Sequence, residues 1–285
     1  MPLKIRRWLK KTIAAGYRHT VALQSNGTVI AVGDNKYGQC DVGIWRDITA
    51  VGAGSGHIGN SHTVGLQKDG KVVAVGWNKY NQCDVNDWRD IVAIAAGWRR
   101  TVGIHSDGTV VAIGRNNEGQ CNVSGWRNIV SASAGDWHTL GLQSDGTVTV
   151  AGNNRYGQGN VKDWRNIVET GAGYLHSVGL QSDGTVVAAG LNKDGQCDVG
   201  GWREIVEIAT GSNHAIGLKA DGTMVAAGRN TEGQCEKSGW HDIVAISAGS
   251  THTIGLKVDG SMVAVGRNDE GQCEVSGWKL TARLY

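Results

Sequence analysis

The sequence predicts an all-β protein, a seven-bladed β-propeller with four antiparallel strands per blade, closed by N- and C-terminal strands and filling residues 1–285 as one domain. Three observations lead there: a tripeptide that recurs at a fixed spacing, a turn dipeptide once per recurrence, and apolar runs too short for helices. The composition agrees, since 44 Gly, 11 Trp, one Pro and no Phe in 285 residues depart far from ordinary usage and point to a repeated, turn-rich architecture.

Gly-Gln-Cys, or a close variant, ends at Cys40, Cys83, Cys121, Gly159, Cys197, Cys235 and Cys273, with a first gap of 43 residues followed by five of 38. The unit is therefore 38 residues, present seven times, and the extra residues of the first gap fall at Ser55–Gly59. In the third unit, Ile91–Ala96, Thr101–Ile104 and Val110–Ile113 are Val/Ile-rich runs bounded by Gly, which reads as three strands. Gln120–Val123 supplies a fourth. Asn26-Gly27 and its six Asp-Gly counterparts, such as Asp107-Gly108, join the second strand to the third as tight hairpins. Four short antiparallel strands repeated seven times describe propeller blades, and no atypical cap marks the ends as a solenoid would require. Trp8, Trp45, Trp88, Trp126, Trp164, Trp202, Trp240 and Trp278 share one register, eight copies for seven units, so the surplus copy is expected to close the ring.

These residues resemble a known family. Ala132-Ser133-Ala134-Gly135-Asp136-Trp137-His138-Thr139-Leu140-Gly141-Leu142 looks like the signature of the regulator of chromosome condensation repeat, and Gly114-Arg115-Asn116-Asn117-Glu118-Gly119-Gln120 resembles its Gly-x-Asn-x-x-Gly-Gln segment. The resemblance covers all seven units and implies the seven-bladed propeller. The founding member is an exchange factor for the small GTPase Ran and binds chromatin, so the resemblance implies a protein partner, with a small GTPase one candidate. That member's wedge follows the third strand of a blade, whereas the insertion here separates a first strand from a second.

The remaining residue types give mostly structural readings. His19, His62, His138, His176, His214 and His252 share one register, with Arg100 in the third unit, and each imidazole is expected to bond a nearby backbone group rather than a metal. The six Cys share another register, one per blade, too far apart for disulfides. With no apolar leader core in Met1–Gly16, they are expected to be reduced thiols of a cytoplasmic protein. The register Trp are expected to pack between blades. No phosphate loop, His-Glu-x-x-His or nucleophile elbow is present, and the recurring carboxylates obey the repeat, so no enzymatic activity, cofactor or metal is expected.

Function is sought where the repeat is broken. Loops after the first and third strands share one face, and there the units differ. Tyr17, Arg18, His57 of the insertion, Trp77, Trp98, Arg99, Trp137 and Tyr174 are the candidate binding residues, of the types enriched at binding hot spots. The leading reading is a non-enzymatic protein-interaction platform. The alternative is a lectin-like propeller with a glycan stacked on the aromatics, although its site should then repeat. A further alternative comes from Gly97-Trp98-Arg99-Arg100-Thr101, which is similar to the Gly-Trp-Arg-His-Thr motif of the plant ultraviolet-B photoreceptor of this family and implies a Trp-based chromophore; only Trp98 holds the matching position. A net charge of +2 and one basic run, Lys4–Lys11, argue against nucleic acid, and no stretch approaches the roughly 18 apolar residues of a membrane helix.

Overall fold

In the computed structural model, residues 11–56 and 60–280 are described, and they form seven separate antiparallel sheets of three strands each. The third blade comprises Ile91–Gly97, Arg100–His105 and Val110–Gly114, the three runs expected from the sequence. Each second and third strand meet at a turn in which only the Gly takes positive φ. Gly108 sits at +78°, while the Asp107 carboxylate accepts the Thr109 N–H at 2.8 Å and its hydroxyl at 2.7 Å.

The expected fourth strand is absent from the described residues. Gln120–Val123 begins in a turn and forms no strand, because the backbone donors of Cys121, Asn122 and Val123 are spent locally. Cys121 N–H bonds Asn116 Oδ1 at 2.8 Å, Asn122 N–H bonds Gly119 O at 3.0 Å and Val123 N–H bonds Cys121 O at 2.9 Å. These three donors are thus not available to ladder onto the third strand.

Hydrophobic clusters lie between blades rather than within them. Val64, Leu66 and Val72 of the second blade pack with Val85, Trp88 and Ile91 of the chain entering the third, and this arrangement recurs at every junction. As expected, the register Trp serve this packing. A Cβ on Gly103 would lie 2.7 Å from the Trp88 ring, so the glycine makes room for the indole.

The seventh blade packs against the first, so the ring closes by side-chain contact. No sheet of the described residues combines strands from both termini. The closing copy is the C-terminal one: Val275, Trp278 and Leu280 join Ile13, Ala22 and Ile254 in the last cluster, and Lys279 bridges Ser261. Trp8 lies outside the described residues.

A polar relay runs beside these clusters. His19 Nε2 meets Thr63 Oγ1 of the next blade at 2.8 Å, and Thr63 donates to Gln39 O at 2.6 Å. His62–Thr101, His138–Ser177, His214–Thr253 and His252–Thr20 repeat this at 2.8–3.0 Å, and each hydroxyl donates to a Gln carbonyl. Since the hydroxyl hydrogen is committed to the carbonyl, the imidazole must be the donor, which fixes the Nε2–H tautomer. The imidazoles thus bond side chains of the adjacent blade, not the backbone groups expected from the sequence. The relay leaves no room beside the ring: a Cβ on Gly173 would sit 2.1 Å from His176 Cε1. At one junction the hydroxyl is missing, because Ala215 stands where His176 would find it.

Two outcomes are expected. Ala215→Thr supplies an acceptor for His176 and a donor for the Gln196 carbonyl, and should raise stability by about 1 kcal/mol in urea unfolding; a loss would mean the site is too tight for the added atoms. Burial lowers the six histidines from 6.5 to about 3 for His19, His138, His214 and His252 and about 4 for His62 and His176. The unfolded chain therefore binds more protons below about pH 6.5, so stability present above that pH should fall steadily toward pH 4. Urea midpoints unchanged between pH 7 and 5 would refute this.

Candidate functional site

The relay fixes the start of every second strand, and the residues immediately before it form the varied face. In the third blade Arg100 replaces the register His. Its side chain is fully buried, with Nε donating to Thr139 Oγ1 at 2.9 Å, as an imidazole would, one Nη donating to Asp136 O at 3.1 Å and the other to His138 O. Burial lowers its pKa to about 10, so it remains a cation at neutral pH, with buried Asp136 favouring the charge. Asp136 is peculiar to the fourth unit, where the last two units carry Ser212 and Ser250. The His-to-Arg exchange and its counter-charge are therefore adjacent departures from the repeat.

Around this pair the aromatic residues assemble into one array. Arg99, at φ +65°, places its guanidinium 3.9 Å from the Trp98 ring centroid, 4.9 Å from Trp77 and 5.6 Å from Tyr80, whose hydroxyl oxygen lies 3.4 Å from Arg99 Nη1. Arg115, from the loop after the third strand, lies 5.1 Å from Trp98 and 4.5 Å from Trp137. Trp98 and Trp137 stand 5.2 Å apart, Trp137 and Tyr174 6.5 Å, and Trp77 and Tyr80 5.6 Å edge to face. The two loops of each blade therefore share a face, as the sequence suggests. Burial is the main cause lowering the Arg99 pKa; Tyr80 opposes it and the Arg115 charge adds to it.

The candidate residues are not all brought together. Trp77, Trp98, Arg99, Trp137 and Tyr174 join one array across blades two to five. Tyr17 and Arg18 form a separate pair at 5.0 Å, and Arg18 is tied to Glu270 of the seventh blade at 3.1 Å. His57 lies outside the described residues. Trp98 is only 6% exposed, so it serves as the floor of the array rather than as contact surface; it lies outside the blade-junction clusters, beneath the start of the insertion. A Cβ on Gly56 would fall 2.2 Å from Trp98 Cδ1. Arg115 was not singled out by sequence: it sits inside the repeated Gly-x-Asn segment, and only comparison with Trp77 and Asn153 at the same register would have flagged it.

Ser55, at the start of the same insertion, borders the ring's centre. First strands line a cavity of about 410 Å³, walled mostly by Ala, Gly, Ser and Thr. Glu169 and Glu207 stand in this lining and accept the Ile208 and Ile246 N–H groups at 3.4 and 3.0 Å. Gly56 N–H donates to Ser250 Oγ of the seventh blade at 3.1 Å, and that hydroxyl donates to Gly56 O. Gly56 thus reaches past the first blade to the seventh. On the outer edge, the six thiols are free and half-buried; the Cys121 Sγ donates to Arg115 O at 3.3 Å. Burial pushes Cys40 and Cys83 up to about 12, so they stay protonated.

Residues 11–39, 91–120, 129–158, 167–196, 205–234 and 243–272 each match the regulator of chromosome condensation (RCC1) repeat. The chain belongs to the RCC1 repeat family. The second unit, which carries the insertion, is not among the matched segments. No curated protein matches the chain in sequence. Among solved structures similar to this RCC1-repeat chain, the CRINKLY WD40 ectodomain of the Arabidopsis thaliana receptor kinase ACR4 has a TM-score of 0.71 at 18% identity, covering 90% of this chain and 96% of its own. Prp20p from Saccharomyces cerevisiae has a TM-score of 0.67 at 17% identity, covering 96% and 87%. Human WBSCR16 has a TM-score of 0.68 at 17% identity, covering 85% of each. At these identities the likeness is one of fold.

The Arg100–Asp136 pair yields a test. Asp136→Asn should destabilise the protein by about 1–3 kcal/mol, because it leaves a buried guanidinium without its counter-charge. Adding Arg100→His should recover much of the loss. Strictly additive effects in the urea double-mutant cycle would show that the two sites are independent.

Proposed function

We propose that this RCC1-repeat propeller is a non-enzymatic protein-interaction platform, binding through the varied loop face over blades two to five. The observation that carries this reading is the Trp–Arg–Tyr array. It is concentrated in one sector of a ring whose other face repeats nearly uniformly, and it is made of the residue types that dominate binding energy. Trp137 and Tyr174 are only half-buried and offer large rigid contact area at small entropic cost. The array is unique to its sector, so it suits one macromolecular partner better than a sugar site repeated in each blade. Family membership supports a protein partner in general. Prp20p is described by its binding to Gsp1p and histones, which makes a small GTPase the first candidate to try.

Affinity capture from a source-cell lysate tests this reading, comparing the native chain with Trp137→Ala/Tyr174→Ala and with Arg46→Ala/Arg127→Ala. The first pair should lose a captured protein by about thirtyfold or more, the consequence of removing a hot spot worth about 2 kcal/mol. The second pair, from the Trp-connection segments expected on the opposite face, should retain it. Equal capture by all three folded proteins would move the site elsewhere, and capture of glycan alone would replace the reading with a lectin.

A further inference from the structure

Arg99 and Arg115 differ from Arg18 and Arg267 on the same face. Arg18 is paired with Glu270 at 3.1 Å, and Arg267 Nε bonds Asp269 at 2.6 Å. Among the described residues no carboxylate lies within ion-pair distance of Arg99 or Arg115. The Nε of each is buried without a hydrogen-bond partner, and among the described residues the one hydrogen bond of either guanidinium is the long contact from Arg99 to the Tyr80 hydroxyl. Both residues nevertheless remain half-exposed.

Two like charges are thus held on one aromatic floor, close enough for the Arg115 charge to disfavour ionised Arg99. Buried Asp136 favours the Arg99 charge from below, while Glu118, on the Arg115 loop, is engaged with Asn153 Nδ2 at 2.9 Å. Stacking on indole restricts each guanidinium and leaves its planar edge as the donor surface suited to paired oxygen acceptors. Mutual repulsion and unspent donors are both relieved by one anionic group placed between them.

We propose that this array docks an acidic segment of a partner protein, with carboxylates bridging Arg99 and Arg115 and a neighbouring apolar side chain resting on Trp137 and Tyr174. The inference rests on the platform reading and names the chemistry of the partner. Two arginines flanked by indole make a compact site, matched to a few carboxylates rather than to a long polyanion. The same face carries Glu232, Asp269 and Glu270 in its late sector, which would repel an extended nucleic acid. A second copy of the chain is poorly matched as occupant, because its Asp269 and Glu270 are already committed to Arg267 and Arg18.

The test uses the full chain and a short fluorescein-labelled peptide of Glu, Asp and Leu at low salt, read by anisotropy. Controls are the same peptide with Gln and Asn in place of its acids, and a single-stranded oligonucleotide of equal charge. The acidic peptide should bind the native chain and lose about tenfold or more in affinity with Arg99→Gln/Arg115→Gln. Arg99→Lys/Arg115→Lys should also bind weakly, since an ammonium keeps the charge but not the planar fork. Arg46→Gln/Arg127→Gln should bind as the native chain does. Urea midpoints close to native would establish that the variants are folded.

Binding that is equal in the Gln variant, or equal for the neutral peptide, overturns the proposal. So does tighter, arginine-dependent binding of the oligonucleotide. A native dimer in sedimentation that dissociates on Arg99→Gln/Arg115→Gln would make the occupant a second copy and also overturn it. If the acidic peptide fails while Trp137→Ala/Tyr174→Ala still abolishes capture of a cellular protein, the platform stands and only the acidic-segment inference falls.

Discussion

The ring depends on a hydroxyl that does two things at once. At five of the seven junctions a Thr or Ser accepts from the imidazole of one blade and donates to the Gln carbonyl of the segment leaving that blade. Second strand, outgoing connection and next second strand are thereby pinned at one point. The hydrophobic clusters beside these pins supply most of the burial energy, at about 25 cal/mol per Å² of apolar surface removed from water. Such packing is non-directional and tolerates small rotations of one blade on another. Hydrogen bonds within a buried triad do not, because a displaced imidazole or carbonyl would be left unsatisfied at about 1–3 kcal/mol. The polar spokes therefore set the inter-blade angle, and the Trp–Gly contacts fill the space that angle creates.

This constraint explains why the periodic part of the fold could be read directly. Unit length, hairpin Gly and apolar runs are local signals, and seven of them in register leave little choice of architecture. What failed was local in another way. The Gln120–Val123 segment stands where a fourth strand of the blade is expected, but Asn116 captures the Cys121 amide through its side chain, and competition from short polar side chains defeats a ladder. The histidine partners were misread for the opposite reason. In most units the His is followed directly by a Thr or Ser, yet at five junctions the imidazole bonds the hydroxyl of the next unit, a pairing visible only once the blades are placed side by side.

The candidate site was legible as a sector and not as a geometry. A run of differing residues at one register marked units one, three, four and five, with the insertion of unit two, as special. The structure leaves Tyr17 and Arg18 of unit one out of the array. The run did not show that Trp98 would become a floor, because its cover is Gly56, an inconspicuous residue of the insertion. Nor did it reveal Arg115, whose place in a repeated motif concealed that its side chain completes the array. Arg18 and Arg99 occupy the same register and looked alike, but Glu270 neutralises one and nothing comparable reaches the other. Residue type at a register position is thus weaker evidence than the charge its neighbours leave exposed.

The asymmetry of the ring has one physical origin at its centre. Replacing a neutral imidazole by Arg100 puts a permanent cation into a belt of buried histidines, and burial of that charge is costly unless an anion accompanies it. Asp136 enters at the residue following the loop's first glycine, in the neighbouring blade, and through its place beneath Arg99 it also acts on the surface. One buried substitution therefore reaches the face through a single loop. Gly56 acts from the other side, lying against Trp98 and hooking onto Ser250 of the seventh blade. Between them the sector is braced from below and from the axis, while Arg18 and Arg267 are settled against Glu270 and Asp269. A sevenfold frame supplies seven equivalent loops, and it is the unneutralised pair in one sector that makes them unequal.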